Sequence, residues 1–169
     1  GLGDVYKRQE SAFVVFSNEA DEALATYAPA QLQTLLTIST PWQVTFQEGM
    51  RGPAEPCTMD SLLAWNQSED DRIRYFSGTA TYTNTFKLKK ELAEPVWIDL
   101  GKVMVMARVY VNDQYAGGVW TAPYRLNIGR LLRKGTNSLR VEVVNNWQNR
   151  LIGDQKLPEQ AMLDMLVAL

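Results

Sequence analysis

Apolar and polar side chains alternate along several short stretches of this sequence, with the period of two residues that is typical of half-buried β-strands. In the stretch 42–47, Trp42, Val44 and Phe46 are separated by polar residues. In the stretch 79–86, threonine occupies every position of one predicted face. The opposite face carries Ala80, Tyr82, Asn84 and Phe86. Both stretches therefore predict strands with one buried face.

The strongest strand pattern covers residues 103–111 and leads into a predicted hairpin. Valine and alanine fill one face, while Met104, Met106 and Tyr110 cover part of the other, which predicts a central strand touched by a second layer. The following Asn112-Asp113 pair predicts a tight turn, since both residue types tolerate left-handed backbone conformations. The partner strand, 115–120, contains a Gly-Gly pair that indicates a bulge or the close approach of another segment.

Further strands are predicted over 96–100 and 139–143, and a loop over the segment 49–56, which is rich in proline and glycine. Asp60 predicts the N-cap of a short helical turn that includes Trp65, and the acidic run 68–71 is expected to be solvated. About seven or eight strands joined by short turns, with almost no helix, predict an all-β fold, namely a sandwich or jelly roll.

The first forty residues are expected to be the tail of a preceding unit that ends before Pro41. They contain a predicted strand over 12–16, a loop or weak helix over 17–30, and a second strand or helical turn over 32–38. The β-sandwich is predicted over 41–155. The remaining residues, 156–169, form a C-terminal tail whose leucines have helical spacing, and the alternatives are a docked helix or a truncated end.

Composition narrows the classes of function. The chain has 169 residues, of which 46% are apolar and 21% charged, as in a globular domain with a real core. A formal charge of −2 gives no basic surface for nucleic acid or an anionic membrane, and no apolar run is long enough to span a bilayer. One cysteine and no histidine exclude an internal disulfide and His-based catalytic triads. Jelly rolls often hold a structural calcium, but no Asp-rich ligand loop stands out, so no metal or cofactor is predicted.

Candidate chemistry therefore rests on carboxylates and aromatic residues. Asp99, Glu142 and Asp154 are the carboxylates on or near predicted strands. Asp99 is expected to pair with a nearby cation, Glu142 to lie on a solvated face, and Asp154 to form a structural ion pair with Arg150. None of them makes a convincing half of the facing carboxyl pair that glycoside hydrolysis requires, so no catalytic residue is predicted.

A second group of residues has the composition of a carbohydrate-binding rim. Aromatic rings stack against the apolar faces of sugars, while amides and guanidinium groups bond to sugar hydroxyls. The predicted substrate-binding residues, which follow strand ends, are Trp120, Tyr124, Asn146, Trp147, Asn149 and Arg150. The alternative is that the tryptophans only pack in the core or against another domain. Core positions are expected for Trp42, Trp65 and Trp97.

Three groups of segments together carry a family resemblance. The first is 77–86, and the second joins 99–103 to 107–112. The third runs from Trp-Thr-Ala-Pro-Tyr at 120–124, through Gly-Thr-Asn at 135–137, to Asn-Arg-Leu-Ile-Gly-Asp at 149–154. In this order they resemble the galactose-binding-like jelly roll known as the sugar-binding domain of family 2 glycoside hydrolases. The third group is more specifically similar to the C-terminal part of the family 106 α-L-rhamnosidases.

This resemblance implies an accessory, non-catalytic β-sandwich of a larger glycoside hydrolase acting on plant polysaccharide. Its partners would be the catalytic domain of the same parent chain and a carbohydrate, such as a rhamnose-containing polysaccharide. The parent protein would be periplasmic or secreted. Two alternatives are a free-standing carbohydrate-binding module and a structural cell-surface sandwich without sugar affinity. One departure from the family pattern is Asp113, where the hairpin usually carries glycine.

The N-terminus has a separate resemblance. Residues 4–9 read Asp-Val-Tyr-Lys-Arg-Gln, which resembles the translation of a transposase mosaic-end sequence used in sequencing libraries. Residues 1–9 are therefore expected to be a sequencing-adapter artefact, with native sequence from about residue 10 and the parent protein extending upstream. The alternative is a genuine basic N-terminal peptide.

Overall fold

Eight antiparallel β-strands form the framework of residues 32–157, the part of the chain that the computed structural model describes. The strands are β1 Trp42–Phe46, β2 Cys57–Met59, β3 Thr79–Leu88, β4 Trp97–Asp99, β5 Met106–Val111, β6 Gln114–Val119, β7 Arg125–Asn127 and β8 Gly135–Val144. Two short α-helices accompany them, α1 Asp71–Arg74 and α2 Gln148–Asp154. Two 3₁₀ turns cover Trp65–Gln67 and Gly129–Leu131.

The strands form two layers. A six-stranded sheet has the order β2-β1-β3-β8-β5-β6, and a two-stranded sheet pairs β4 with β7. Leu126 of β7 packs over Gly117 of β6, where a Cβ atom would lie 2.9 Å from the leucine Cδ1. The fold is thus the all-β, jelly-roll β-sandwich that the alternation predicts.

The core follows the alternation of the sequence. Trp42, Val44 and Phe46 of β1 are buried, and the residues between them are exposed. Ala80 and Tyr82 of β3 are likewise buried, and Thr81 between them is half-buried. Alternate side chains of a strand point to opposite faces, so one face of the six-stranded sheet covers the core and the other is its outer face.

Aromatic side chains close the core beside β1. Phe46, Trp65 and Phe76 form an edge-to-face cluster, with ring centroids 4.8 Å apart for Phe46 and Phe76 and 5.3 Å apart for Trp65 and Phe76. The indole Nε1 of Trp65 donates a hydrogen bond of 2.5 Å to the Tyr82 hydroxyl. This bond satisfies two polar groups that burial would otherwise leave without water.

The β5–β6 hairpin has the predicted tight turn. Asn112 and Asp113 have φ angles of +52° and +64°, the left-handed conformation that asparagine and aspartate tolerate better than most residues. The register shifts between Val109 and Tyr110, as in a β-bulge, and Gly117 opposite this point has a φ of +140°. The Gly-Gly pair thus marks both a bulge and the close approach of β7.

Several local predictions were wrong. Asp60 caps no helix, and the helical turn near it begins only at Trp65, as the uncapped 3₁₀ turn Trp65–Gln67. Asp70 instead caps α1, where its Oδ1 accepts a hydrogen bond of 2.9 Å from the Arg72 backbone N–H. This places a helix cap inside the acidic run that was expected to be merely solvated. Residues 148–154, for which the sequence predicted no helix, form α2. Residues 32–38 are neither strand nor helix.

The exposure of individual side chains corrects two further expectations. Trp97 is 47% exposed and is not a core residue, because it lies on the outer face of the two-stranded sheet. Met104 and Met106 are also exposed, so β5 is buried on one face only and no second layer of the described residues covers the other.

Contacts divide the chain into two units, 1–38 and 39–169. The elements predicted over 12–16, 17–30 and 161–169 lie outside the described residues, and the predicted domain boundaries remain predictions. None of the helices within residues 32–157 has the length and apolar character needed to cross a membrane.

Candidate functional site

One end of the six-stranded sheet brings the predicted substrate-binding segments together. β8 stops at Val144, which pairs with Thr79 at the start of β3 and with Met106 at the start of β5. β6 stops at Val119, which pairs with Ala107. The segments that follow β6 and β8 therefore leave the sheet at the same end. We call this region, formed by residues 104–106, 120–124 and 145–152, the strand-end surface.

The two tryptophans of the predicted rim are strongly exposed. Trp120 directly follows β6 and is 69% exposed, and Trp147 follows β8 and is 59% exposed. Tyr124 is half-buried, and its carbonyl accepts a hydrogen bond of 2.9 Å from the Leu100 backbone N–H. Trp120 and Trp147 thus have ring surface available to a ligand or to a partner.

The polar members of the group mainly form hydrogen bonds within the domain itself. Asn146 Oδ1 accepts a hydrogen bond of 3.2 Å from Gln148 N at the start of α2, and Asn149 is half-buried in the first turn of that helix. The backbone N–H of Arg150 donates to Ser77 Oγ at 3.1 Å, and its guanidinium donates to the Met50 carbonyl at 3.2 Å.

Arg150 also takes part in an ion-pair group. Asp154 Oδ1 lies 3.1 Å from Arg51 Nη1, while its Oδ2 lies 3.9 Å from Arg150 Nε. The predicted Arg150–Asp154 pair is therefore confirmed, although Arg51 is the closer partner. Burial, and then the neighbouring charge of Arg51, lower the pKa of Arg150 from its ordinary value. These contacts fix α2 against the loop 49–56.

Further apolar side chains at the strand-end surface were missed in the sequence. Met104 is 66% exposed, and Leu151 and Ile152 of α2 are 62% and 47% exposed. Several large exposed apolar side chains at one end of a domain are typical of a surface that contacts another molecule or domain.

The three candidate carboxylates lie on separate elements, and arginines bind each of them. Asp99 on β4 accepts a hydrogen bond of 2.7 Å from Arg125 Nε, and this bond, followed by one from the Gly101 N–H, lowers the pKa of Asp99. Glu142 on β8 lies between Arg108 and Arg140. Its side chain is 14% exposed, so the expectation of a fully solvated residue was wrong.

Two of the segments that carry the family resemblance are joined by asparagines. Asn112 Nδ2 donates to Asn137 Oδ1 at 2.9 Å and to the Leu131 carbonyl at 2.8 Å. Asn137 is fully buried, accepts from Arg133 N at 2.9 Å and donates to the Arg133 carbonyl at 2.8 Å. These bonds tie the hairpin turn to the connection between β7 and β8.

The outer face of the six-stranded sheet carries two open depressions of about 380 and 300 Å³. Polar side chains of β1, β3, β5 and β8 line both of them. The alternation of each strand indicated an outward polar face, but the order of the strands was needed to bring these residues side by side. Within residues 32–157 no three His, Cys, Asp or Glu side chains form a group that could hold a metal ion.

Comparisons with known proteins give a family and several relatives. The profile of the family described as "Glycosyl hydrolase 2 galactose-binding domain-like" matches residues 58–164. A protein of Formosa agariphila named "Putative beta-glucuronidase" is 37% identical over 146 residues, which are 85% of this chain and 12% of that protein.

Solved structures show the same similarity. A rhamnosidase from Novosphingobium sp. PP1Y is 40% identical, with a TM-score of 0.74, over 80% of this chain and 13% of that one. A β-glucuronidase from Ruminococcus gnavus shares the fold at 19% identity, with a TM-score of 0.56, over 70% of this chain and 23% of that one. The chain therefore spans 12% and 13% of the length of its two more similar relatives.

Proposed function

This chain belongs to the glycosyl hydrolase 2 galactose-binding domain-like family, and we propose that it is an accessory, non-catalytic β-sandwich of a larger glycoside hydrolase. The observation that carries the proposal is the small share of its relatives that it covers, 12% of the Formosa agariphila protein and 13% of the Novosphingobium rhamnosidase. A single sandwich of this size accounts for little of such an enzyme, so the glycosidase chemistry is assigned to another part of the parent chain.

The arrangement of carboxylates supports this division of labour. Glycoside hydrolysis uses two facing carboxyl groups, of which one must keep its proton near neutral pH. Asp99 lies on the two-stranded sheet and Glu142 on the outer face of the other sheet, and each bonds to its own arginine partners. The lowered pKa of Asp99 is the opposite of what a general acid requires.

We assign the contact with the rest of the parent enzyme to the strand-end surface. Trp120, Trp147 and Leu151 are each more than half exposed there, and buried aromatic side chains are the usual anchors of protein interfaces. A neighbouring domain that covers this surface would place the tryptophans beside the junction, where they line one edge of the substrate cleft. The parent protein is proposed to be periplasmic or secreted.

The proposed activity of the parent enzyme is that of an α-L-rhamnosidase acting on plant polysaccharide. The 40% identity and TM-score of 0.74 with the Novosphingobium rhamnosidase support it more strongly than the 19% identity with the Ruminococcus β-glucuronidase. The name of the Formosa agariphila relative, "Putative beta-glucuronidase", supports β-glucuronides as the competing substrate class.

The experiment is to express the protein encoded by the uninterrupted gene and to compare its hydrolysis of aryl α-L-rhamnosides and aryl β-D-glucuronides. The proposal predicts release of rhamnose, with catalysis lost when carboxylates upstream of this domain are substituted. Hydrolysis of glucuronides alone would overturn the proposed rhamnoside substrate. A complete gene limited to this sandwich would overturn the accessory role.

A free-standing carbohydrate-binding module is the second candidate. The exposed rings of Trp120 and Trp147 favour it, because they offer stacking surfaces without any partner domain. Calorimetric titration of the 169-residue chain with rhamnose-containing oligosaccharides, beside the Trp120→Ala and Trp147→Ala variants, distinguishes the two. If the unaltered chain binds and both substitutions abolish binding, the domain is a carbohydrate-binding module. If none of the three proteins binds, the packing role is supported instead.

A further inference from the structure

The outer face of the six-stranded sheet presents ordered rows of polar side chains. The register places one row across five strands, formed by Gln43, Thr83, Arg140, Tyr110 and Tyr115. The next row is formed by Thr45, Thr81, Glu142, Arg108 and Gly118. Four gaps of about 4.8 Å between strands make each row roughly 19 Å long. The face thus offers hydroxyl, amide and guanidinium groups over an extended, nearly continuous surface.

Both depressions lie on these rows. The depression of about 380 Å³ is lined by Gln43, Thr83, Tyr110 and Arg140, among others, and the one of about 300 Å³ by residues that include Thr45, Thr81, Arg108 and Glu142. Their volumes fall at the small end of the range of about 300–1,000 Å³ that is usual for ligand sites. Glu142, which lines the smaller depression, forms ion pairs with Arg108 of the same depression and with Arg140 of the other.

An aromatic ring lies at the β6 end of the first row. Tyr115 is 59% exposed, and its hydroxyl would be 3.4 Å from a Cβ atom built on Gly118, so the ring lies along the sheet over the missing side chain. One face of Tyr110 is already covered by the Arg140 guanidinium, whose Cζ lies 3.6 Å from the ring centroid. Tyr115 is therefore the aromatic ring of this face with surface left for a ligand.

The charges of the face balance. The linings of the two depressions include two arginines, Arg108 and Arg140, and two carboxylates, Glu142 and Asp113. Nucleic acids and other polyanions are bound by an excess of positive charge, which this face lacks. A protein interface needs an apolar centre, whereas threonine and charged residues occupy the middle of these rows. A neutral, hydroxyl-rich ligand matches the face in both charge and polarity.

We propose that this outer face, centred on Thr83, Arg140 and Tyr115, is a binding site for a neutral oligosaccharide. Threonine hydroxyls, the Gln43 amide and the arginines bond to sugar hydroxyls, and Tyr115 stacks against an apolar sugar face. The inference deepens the proposed accessory role by giving the domain a hold on the polysaccharide that is separate from the strand-end surface. This additional hold on the polysaccharide and the domain packing lie on different sides of the sandwich.

The test is a titration of the 169-residue chain with neutral rhamno-, xylo-, galacto- and gluco-oligosaccharides, and with uronic and sulfated oligosaccharides for comparison, followed by calorimetry and by NMR shifts of backbone amides. Thr83→Val and Tyr115→Ala are the face variants, and Thr83→Val keeps the shape and strand propensity of the threonine. Trp120→Ala and Trp147→Ala are the matched variants at the strand-end surface. Far-UV circular dichroism confirms that every variant folds.

The proposal predicts that at least one oligosaccharide binds, that amides of β3, β5 and β8 shift, and that each face variant weakens binding at least fivefold while the tryptophan variants do not. Binding that only the tryptophan variants lose would overturn the location. Tighter binding of uronic or sulfated oligosaccharides would overturn the ligand class, and no binding at all would overturn the site. The proposed accessory role is tested separately, by the hydrolysis assays of the full-length enzyme.

Discussion

At the scale of single residues, two asparagines connect turns that are distant in the sequence. Asn112 has a left-handed backbone and bonds to Asn137, which is fully buried with its amide oxygen and nitrogen both satisfied. A buried polar network of this kind is stable only when each member has its partners. The bonds explain in physical terms why the Val-Asn and Gly-x-Asn segments belong to one pattern.

Replacing Asn137 by alanine should lower the free energy of unfolding by about 3 kcal/mol, because the Arg133 N–H, two carbonyls and the Asn112 amide lose a buried partner. The measurement is urea denaturation of the 169-residue chain. Thr136→Ala is the control, since that neighbouring side chain is exposed and should change stability by less than about 0.5 kcal/mol. Equal effects of the two substitutions would contradict this role.

Asp99 should give a small contribution to stability that depends on pH. Its pKa in the folded protein is lowered by Arg125 and by the Gly101 N–H, so the contribution is present above the unfolded-state value of about 3.9 and disappears as the pH falls through the lower folded-state value. Half of the side chain is exposed, so Asp99→Asn should cost less than about 1 kcal/mol at pH 7.

The check is urea denaturation of the unaltered chain and of Asp99→Asn at pH 7 and near pH 2. Near pH 2 the difference between their free energies of unfolding should vanish. Arg125→Gln should reproduce the loss at pH 7, and the double variant should add almost nothing to it. A difference between the two proteins that grows towards low pH would show that the sign is wrong.

At the scale of elements, the sequence predicts strands where local alternation and burial agree. β1, β3 and the hairpin formed by β5 and β6 were predicted because their patterns are local. α1 was missed because Asp60 and Asp70 are both plausible caps, and only packing of Ile73 into the core selects the second. The exposure of Trp97 and the depressions of the outer face depend on which strands become neighbours, which no local pattern contains.

The bulged hairpin provides an element-scale prediction with a matched control. Gly117→Ala should lower the free energy of unfolding by about 1–3 kcal/mol, since φ is +140° and the added Cβ would lie 2.9 Å from Leu126 Cδ1. Gly118→Ala should be tolerated, because its nearest contacts would be at 3.4 Å. Thermal unfolding of both variants decides, and similar midpoints would mean that the approach of β7 does not constrain Gly117.

At the scale of the whole molecule, the described residues present two surfaces of different character. The strand-end surface exposes large apolar side chains, whereas the outer face of the six-stranded sheet is polar and balanced in charge. The contrast suits a domain that packs on its parent enzyme at one end and leaves a sheet face open. Sequence patterns predicted the tryptophans of the strand-end surface. The outer face of the six-stranded sheet could be recognised only from the order of the strands.

Stability measurements on two proteins test the packing role of the strand-end surface. Trp120→Ala and Trp147→Ala should change the stability of the 169-residue chain by less than about 0.5 kcal/mol, since both side chains are more than half exposed. In the larger enzyme that we propose, with a neighbouring domain packed on this surface, each should weaken domain packing by about 2 kcal/mol. Trp97→Ala, on the other sheet, is the control, and equal effects in both proteins would count against the interface.

The most direct test of the central claim is a single-turnover assay of the 169-residue chain in excess over aryl α-L-rhamnosides and aryl β-D-glucuronides, with free sugar measured by chromatography. A non-catalytic accessory sandwich predicts that sugar release equals that of a variant carrying Asp99→Asn, Glu142→Gln and Asp154→Asn. Release of sugar by the unaltered chain that this variant abolishes would contradict the account, because it would place the catalytic carboxylates within the sandwich itself.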